Sequence, residues 1–351
     1  MSQPVTSQTV TQEVVVRKTK RLDATKDGLA LDLNPDLATA AEILRSGGTV
    51  AFPTETVYGL GANALDPNAV AQIFLAKDRP GWDPLIVHVS DRAMLNRIAV
   101  VSARAERLIA AFWPGPLTLL LPRTTQVPNA VTAGRPLVGV RMPAHPVALA
   151  LITAAGVPIA APSANRFGRI SPTDAQAVQS ELGNTVPLIL DGGPCAVGLE
   201  STVLFISEHQ PVLLRAGGIS LEEIESVVGP VQHAAPVDER PQAPGQLKHH
   251  YAPRKPLRLV GSFADIPSHA DSGCLFFGPQ DAAPSFLGVI ENLSPTGDLR
   301  EAAANFFRAL RKLDDDPRVR ILYAMALPPR GLGLAINERL ERASARDEGV
   351  S

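Results

Sequence analysis

The feature that most constrains this chain is a regular alternation of short apolar runs with capped helical segments across its first two-thirds. Runs at Thr49–Phe52, Leu85–Val89, Leu117–Leu121, Val138–Arg141, Pro158–Ala161 and Leu188–Leu190 are too short for helices and read as strands. Thr202–Ile206 and Val212–Leu214 extend the series. The segments between them carry helix signals. Asn34-Pro35-Asp36 offers an N-cap with proline at the first helical position, Leu37, Ala41 and Leu44 follow at helical spacing, and Gly47-Gly48 ends the pattern. Asp66-Pro67 opens a second helix carrying Val70, Ile73 and Phe74. Ser102–Phe112, Pro146–Ala155 and Thr173–Leu182 are further helical patterns, the last with Ser171 or Thr173 as its cap. Strands and helices interleaved at this spacing predict an α/β domain built on a mixed sheet.

The alternation breaks at residues 229–256, a proline-rich stretch with no apolar period, which reads as a stiff linker. Residues 257–351 then form a smaller α/β block, with strands expected at Leu257–Val260, Gly273–Phe277 and Arg320–Met325. One amphipathic helix there carries Leu299, Ala303, Phe306, Leu310 and Leu313, and a last helix follows Gly331-Leu332-Gly333. Residues 1–28 read as a loose arm with one strand at Val14–Arg17. Its cluster Arg17, Lys18, Lys20 and Arg21 reads as a solvated segment. The large block spans 29–228, so the chain of 351 residues divides unequally.

Composition excludes several function classes. With 33 Lys and Arg against 35 Asp and Glu, the net charge of −2 weighs against nucleic-acid binding through bulk positive charge. Cys195 and Cys274 are the chain's 2 cysteines, which excludes a disulfide framework and any cysteine-rich metal site. No apolar run is long enough to span a membrane, and the polar N-terminus has no signal-peptide core, so a cytoplasmic protein is expected.

No Gly-rich phosphate loop, zinc-binding H-E-x-x-H helix or G-x-S-x-G elbow is present. Polar residues gather instead where strands end, the usual ligand site of open α/β sheets. Pro53–Gly61 follows a strand with threonines and Glu55, and Lys77-Asp78-Arg79-Pro80 ends a helix before Asp83-Pro84 and a strand containing His88. Lys and Arg two positions apart suit a polyphosphate, although cations at a helix C-terminus are also favoured by its dipole. Arg141 ends an apolar strand and needs a carboxylate, from a glutamate of the chain or from a ligand. Ala161-Pro162-Ser163-Ala164-Asn165 leads to Ser171-Pro172-Thr173, Glu200-Ser201-Thr202 precedes a strand, and Arg215 heads Ala216-Gly217-Gly218. This inventory of cations, hydroxyls and one histidine lacks a protein nucleophile and fits polarising a nucleoside triphosphate.

The ordered motifs FPTETVYGLG, K-x-R-P-x-x-x-P-L-I-V-H, WPGPLT, VRMPAHP, PSAN with SPT, LILDGG, EST and LLRAGG resemble the YrdC-type threonylcarbamoyl-AMP synthases. The tether segment APG with HYAP, the helix AANFFRALRKLD and the segment GLGLAI resemble the two-domain form, with its C-terminal accessory domain. The resemblance implies a YrdC-like twisted mixed sheet with flanking helices around a concave pocket, plus a smaller Rossmann-like α/β domain. It implies that L-threonine, bicarbonate and ATP give L-threonylcarbamoyladenylate and pyrophosphate. The product would feed a tRNA threonylcarbamoyl transferase machinery that modifies the adenosine beside the anticodon.

By the same resemblance, Thr56, His88, Arg141, Ala161 and Ser201 hold threonine. Arg79, Asp83, Leu137, Ser163, Asn165, Ser171, Arg215 and Tyr251 hold ATP. Lys77 and Arg79, with Mg²⁺, neutralise the leaving group, and Tyr251 makes the linker a lid over the pocket. Three positions depart from the family pattern: Leu137 for threonine, Asp83 for asparagine and Gln246 for methionine. Asp83 would have to bind metal or point away from phosphate. A related carbamoyl transfer of the hydrogenase-maturation type is disfavoured by the 2 cysteines. The reading from another class is a non-catalytic RNA-binding module of the same fold, and for the synthase itself any RNA contact is expected to be weak.

Overall fold

A computed structural model describes residues 20–23, 34–207, 209–234, 245, 247, 250–267, 269–279 and 286–345. The expected strand at Val14–Arg17 and the departure at Gln246 lie outside these residues. The chain runs β1 (Lys20–Asp23), α1 (Pro35–Arg45), β2 (Val50–Phe52), β3 (Gly59–Asn63), α2 (Pro67–Lys77) and β4 (Ile86–His88). It continues through α3 (Arg92–Ile98), α4 (Ala103–Phe112), β5 (Leu117–Pro122), α5 (Asn129–Thr132), β6 (Leu137–Arg141), α6 (Pro146–Ala155) and β7 (Ile159–Ala160). Then come α7 (Ala175–Leu182), β8 (Leu188–Asp191), β9 (Thr202–Phe205), β10 (Val212–Arg215), α8 (Leu221–Val228) and β11 (Gln232–His233). The C-terminal part holds β12 (Leu257–Val260), β13 (Ser272–Phe276), β14 (Val289–Asn292), α9 (Leu299–Asp315), β15 (Ile321–Met325) and α10 (Leu332–Ser344).

Strands β1 to β11 build one mixed sheet in the order β1-β8-β2-β3-β7-β4-β6-β5-β9-β10-β11. The second sheet, β12-β15-β13-β14, is parallel throughout. This is the expected architecture of a mixed sheet with flanking helices and a second domain on a parallel sheet. Among the described residues no helix is long and apolar enough to cross a membrane.

The local signals work as their chemistry requires. Asn34 Oδ1 accepts from the backbone N–H of Asp36 at 2.9 Å and of Leu37 at 3.2 Å, capping α1. Asp66 caps α2 through Asn68 at 2.8 Å. Three expectations need correction. The cap of α7 is Asp174, whose Oδ1 accepts from Ala177 at 2.8 Å, and neither Ser171 nor Thr173 fills that place. Gly59–Asn63, absent from the expected strands, is strand β3, antiparallel to β2. A Cβ on Gly61 would lie 2.7 Å from the Phe52 ring and 2.8 Å from Ile159, so the absent side chain lets strand and neighbours close up. Lys20–Asp23, within the expected loose arm, is strand β1 and runs parallel to β8, with Arg21 paired to Asp191 at 2.5 Å.

One apolar cluster runs through both domains. Val50, Phe52, Val87 and Val140 of the large sheet belong to the same cluster as Phe306, Phe307 and Leu310 of α9 and Ile336 of α10. The second domain is therefore packed on the first through buried hydrocarbon, an arrangement that resists rigid-body separation more than a polar contact would.

Candidate active site

The site lies where β2, β4, β6, β7 and β10 end. The register of the sheet puts His88 opposite Arg141 on neighbouring parallel strands, so their side chains leave the same face. The segment after β2 folds back as a hydroxyl-rich turn. Thr54 Oγ1 lies 2.8 Å from Thr56 Oγ1 and donates to the Val57 carbonyl at 2.6 Å. The strand ends and this turn form the wall of a cleft.

Thr56, Arg79, His88, Arg141, Ala161, Ser163, Ser201, Arg215 and Tyr251 line this cleft, so the fold gathers nine expected site residues from across the sequence. At one end, Arg141 donates from Nη1 to Thr56 Oγ1 at 2.9 Å and pairs through Nη2 with Glu55 Oε2 at 2.6 Å. The strand-end arginine thus has a carboxylate of this chain. Its Nε has no hydrogen-bond partner and is buried, as is His88 Nδ1. Burial, with the neighbouring Arg141 charge, pushes His88 down to about 3, so the imidazole is neutral. It lines the cleft without adding a charge.

On the other side, Arg215 donates from Nη2 to Ser201 Oγ at 3.1 Å and to the Ser201 carbonyl at 2.8 Å. Ser201 Oγ also lies 2.8 Å from Thr118 Oγ1. The linker closes this end: Gly245, His250 and Tyr251 line the cleft. Gly245 has φ +83°, and a Cβ there would meet Tyr251 Oη at 2.6 Å and Arg215 Cδ at 3.0 Å. Only glycine lets the linker pass so close to Arg215. Tyr251 is itself in the left-handed region, φ 64°, a strained backbone for an aromatic residue. Its ring is held between Phe307 of α9, 5.7 Å away, and His250, 4.1 Å away.

Five expected residues stand elsewhere than the cleft wall. Lys77 is buried at the end of α2 and donates to the carbonyls of Ser163 and Asn165. Burial and the nearby Arg79 push its ammonium well below the usual lysine range. It ties the loop after β7 to α2, assisted by the Phe167 N–H on the Lys77 carbonyl at 2.9 Å. Asn165 sits in the same loop, its Nδ2 bound to the Arg166 and Arg169 carbonyls at 2.7 and 2.9 Å.

Asp83 faces a cation of this chain. Fully buried, it pairs with Arg79 Nη2 at 2.8 Å, because an aspartate buried there needs a compensating charge. Leu137 packs against the cluster of Ile86, Leu120, Val203 and Leu214 instead of facing the cleft, since its aliphatic side chain gains more from that cluster. Ser171 donates to Glu200 Oε1 at 2.5 Å.

Two carboxylates of the named segments are part of the site, and one cation there escaped sequence reasoning. Glu55, beside Thr56, is the carboxylate of the chain that Arg141 meets. Glu200 lines the cleft and pairs with Arg339 at 3.0 Å. Arg339 comes from α10, where its spacing from Leu332, Ala335, Ile336 and Leu340 places it on the apolar stripe. That position was the signal for a buried cation.

Both halves of the chain match known proteins. A family model described as Telomere recombination matches residues 42–217, and one described as Threonylcarbamoyl-AMP synthase, C-terminal domain, matches residues 219–345. A threonylcarbamoyl-AMP synthase of Bacillus subtilis is 42% identical over 342 residues, covering 93% of this chain and 98% of its own.

The chain belongs to the YrdC-type threonylcarbamoyl-AMP synthase family.

Another threonylcarbamoyl-AMP synthase, from Pyrococcus abyssi, is 43% identical and covers 87% of this chain and 93% of its own. The crystal structure of P. abyssi Sua5 complexed with L-threonine superposes with a TM-score of 0.83 at 39% identity, covering 93% of this chain and 97% of that one. Both domains of the family are thus present here in one arrangement.

Proposed function

We propose that this synthase-family chain makes L-threonylcarbamoyladenylate and pyrophosphate from L-threonine, bicarbonate and ATP. The observation that carries the reading is the pairing of two chemically different ends in one cleft. At one end stand Arg141 Nε and His88 Nδ1, buried and without hydrogen-bond partners in the chain, beside the hydroxyl of Thr56. These suit an amino acid with a carboxylate and a hydroxyl. At the other end Arg79, Arg215, Ser163 and Tyr251 suit a nucleotide.

The threonine amine, once unprotonated, combines with CO₂ derived from bicarbonate to form a carbamate. A carbamate oxygen attacks the α-phosphorus of ATP, the bond to the bridging oxygen breaks, and pyrophosphate leaves. Arg141 and Thr56 hold the amino acid so that its nitrogen faces the nucleotide. Neutral His88 accepts a hydrogen bond without repelling the ammonium group of incoming threonine. Arg79 and Arg215 meet the phosphate charge, and Lys77 acts by fixing the Ser163–Asn165 loop rather than by reaching phosphate itself. The linker with Tyr251 keeps water from a carbamoyladenylate that hydrolyses readily.

Mg²⁺ accompanies ATP, but the described carboxylates at the cleft are committed: Glu55 to Arg141, Asp83 to Arg79 and Glu200 to Arg339. Among the described residues there is no group of three or more potential metal ligands. The ion would be carried on the phosphates, as is usual for Mg²⁺. The product would pass to a transferase acting on tRNA, in the cytoplasm. The RNA-module reading is weaker, because the cations of the cleft are buried and ion-paired instead of forming an open stripe. Incubation with ATP, bicarbonate and single amino acids tests the proposal: pyrophosphate release should require threonine, and release independent of threonine would defeat it.

A further inference from the structure

Arg339 lies on α10 of the second domain, yet its guanidinium has no exposed surface and ends beside the cleft of the first. Its Nε donates to Glu200 Oε2 at 3.0 Å, and its Nη1 donates to the Ala216 carbonyl at 2.6 Å. Its charged carbon sits 5.4 Å from the centre of the Tyr251 ring, a cation–π distance. Glu200 in turn accepts from Ser171 at 2.5 Å. One side chain therefore joins three parts of the nucleotide end: the Ser171 hydroxyl through Glu200, the backbone following Arg215, and the linker aromatic ring. It touches nothing at the end formed by Thr56, His88 and Arg141.

We propose that Arg339 is a positioning residue by which the second domain shapes the ATP half of the active site. The proposal rests on the synthase reading above. A buried guanidinium is expensive to keep dry, and the chain satisfies it with a carboxylate, two carbonyls and an aromatic face. Glu200 is correspondingly held below the usual carboxylate range: burial alone would raise it, but Arg339, Arg215 and the Ser171 hydroxyl outweigh that. Without Arg339, a buried carboxylate would stand beside the cleft with its main counter-charge gone, free to take a proton or turn away. Ser171 and Tyr251 would both lose their fixed neighbour.

The test is steady-state pyrophosphate release by the full chain and by Arg339→Met, Glu200→Gln and the double variant. Arg339→Met should raise the KM for ATP by about tenfold or more while the KM for threonine stays within about twofold. The double variant should be no worse than Arg339→Met, because both substitutions break one linkage. A merely structural role would lower the active fraction, reducing kcat with neither KM changed, and that result overturns the proposal. Equal rises in both KM values, or fully additive losses in the double variant, overturn it as well. Should Arg339→Met not fold, Arg339→Lys keeps the charge but cannot donate to Glu200 and Ala216 together. It should then show the same split, with an ATP KM raised by about threefold. Lack of threonine-dependent release by the unaltered chain would instead defeat the synthase reading and the proposal with it.

Discussion

Arg141 Nη2 lies 2.6 Å from Glu55 Oε2, and both residues are buried beside the cleft. The pair explains how an arginine is kept buried at a strand end: Glu55 neutralises it, while its Nε has no hydrogen-bond partner. Glu55→Gln removes the counter-charge and leaves a buried cation, so stability should fall by about 3–5 kcal/mol. Urea unfolding checks this, and a loss below about 1 kcal/mol would show that the pair contributes only what an exposed one does.

Acid sensitivity should trace partly to His88. Its folded-state value is held at about 3, below the ordinary 6.5. The unfolded chain therefore takes up the proton first as pH falls. Stability contributed by the neutral histidine is present above the unfolded value and declines between there and the folded one, by about 1.4 kcal/mol per pH unit. Between about pH 7 and about pH 5, unaltered protein should lose about 2 kcal/mol more than His88→Gln. Equal losses in the two proteins would remove His88 from the account.

Lys77 offers a sharper division between direct and indirect roles. Its ammonium is committed to the Ser163 and Asn165 carbonyls, within a buried space. Lys77→Met should lower kcat/KM by about 100-fold or more by releasing that loop. Lys77→Arg should not restore activity, because a planar guanidinium does not fit the same two acceptors. Recovery in Lys77→Arg, measured by pyrophosphate release, would instead favour a charge acting at a distance.

The linker makes a separate prediction. The rings of His250 and Tyr251 meet edge to face, 4.1 Å apart, and both residues line the cleft. The double change His250→Ala with Tyr251→Ala should raise AMP formed per threonylcarbamoyladenylate trapped, because water reaches the intermediate sooner. An unchanged product yield would rule out a lid.

Much of this was legible along the chain. The caps at Asn34 and Asp66, the short strands and the ordered motifs are local patterns, and local rules read them well. The misreadings were also local in origin. Gly59–Asn63 does not read as a strand because its small residues carry no strand propensity, although close packing against Phe52 and Ile159 is what demands them.

What the sequence determined by itself was the alternation of elements, the two-domain layout and the chemical inventory of the site, since each depends on neighbours a few positions apart. What only the tertiary structure decided was the pairing of charges. Arg141 meets Glu55 across 86 positions, and Arg339 meets Glu200 across 139. A buried charge must find a counter-charge in space, and spacing along a chain does not say which one folding will bring within 3 Å.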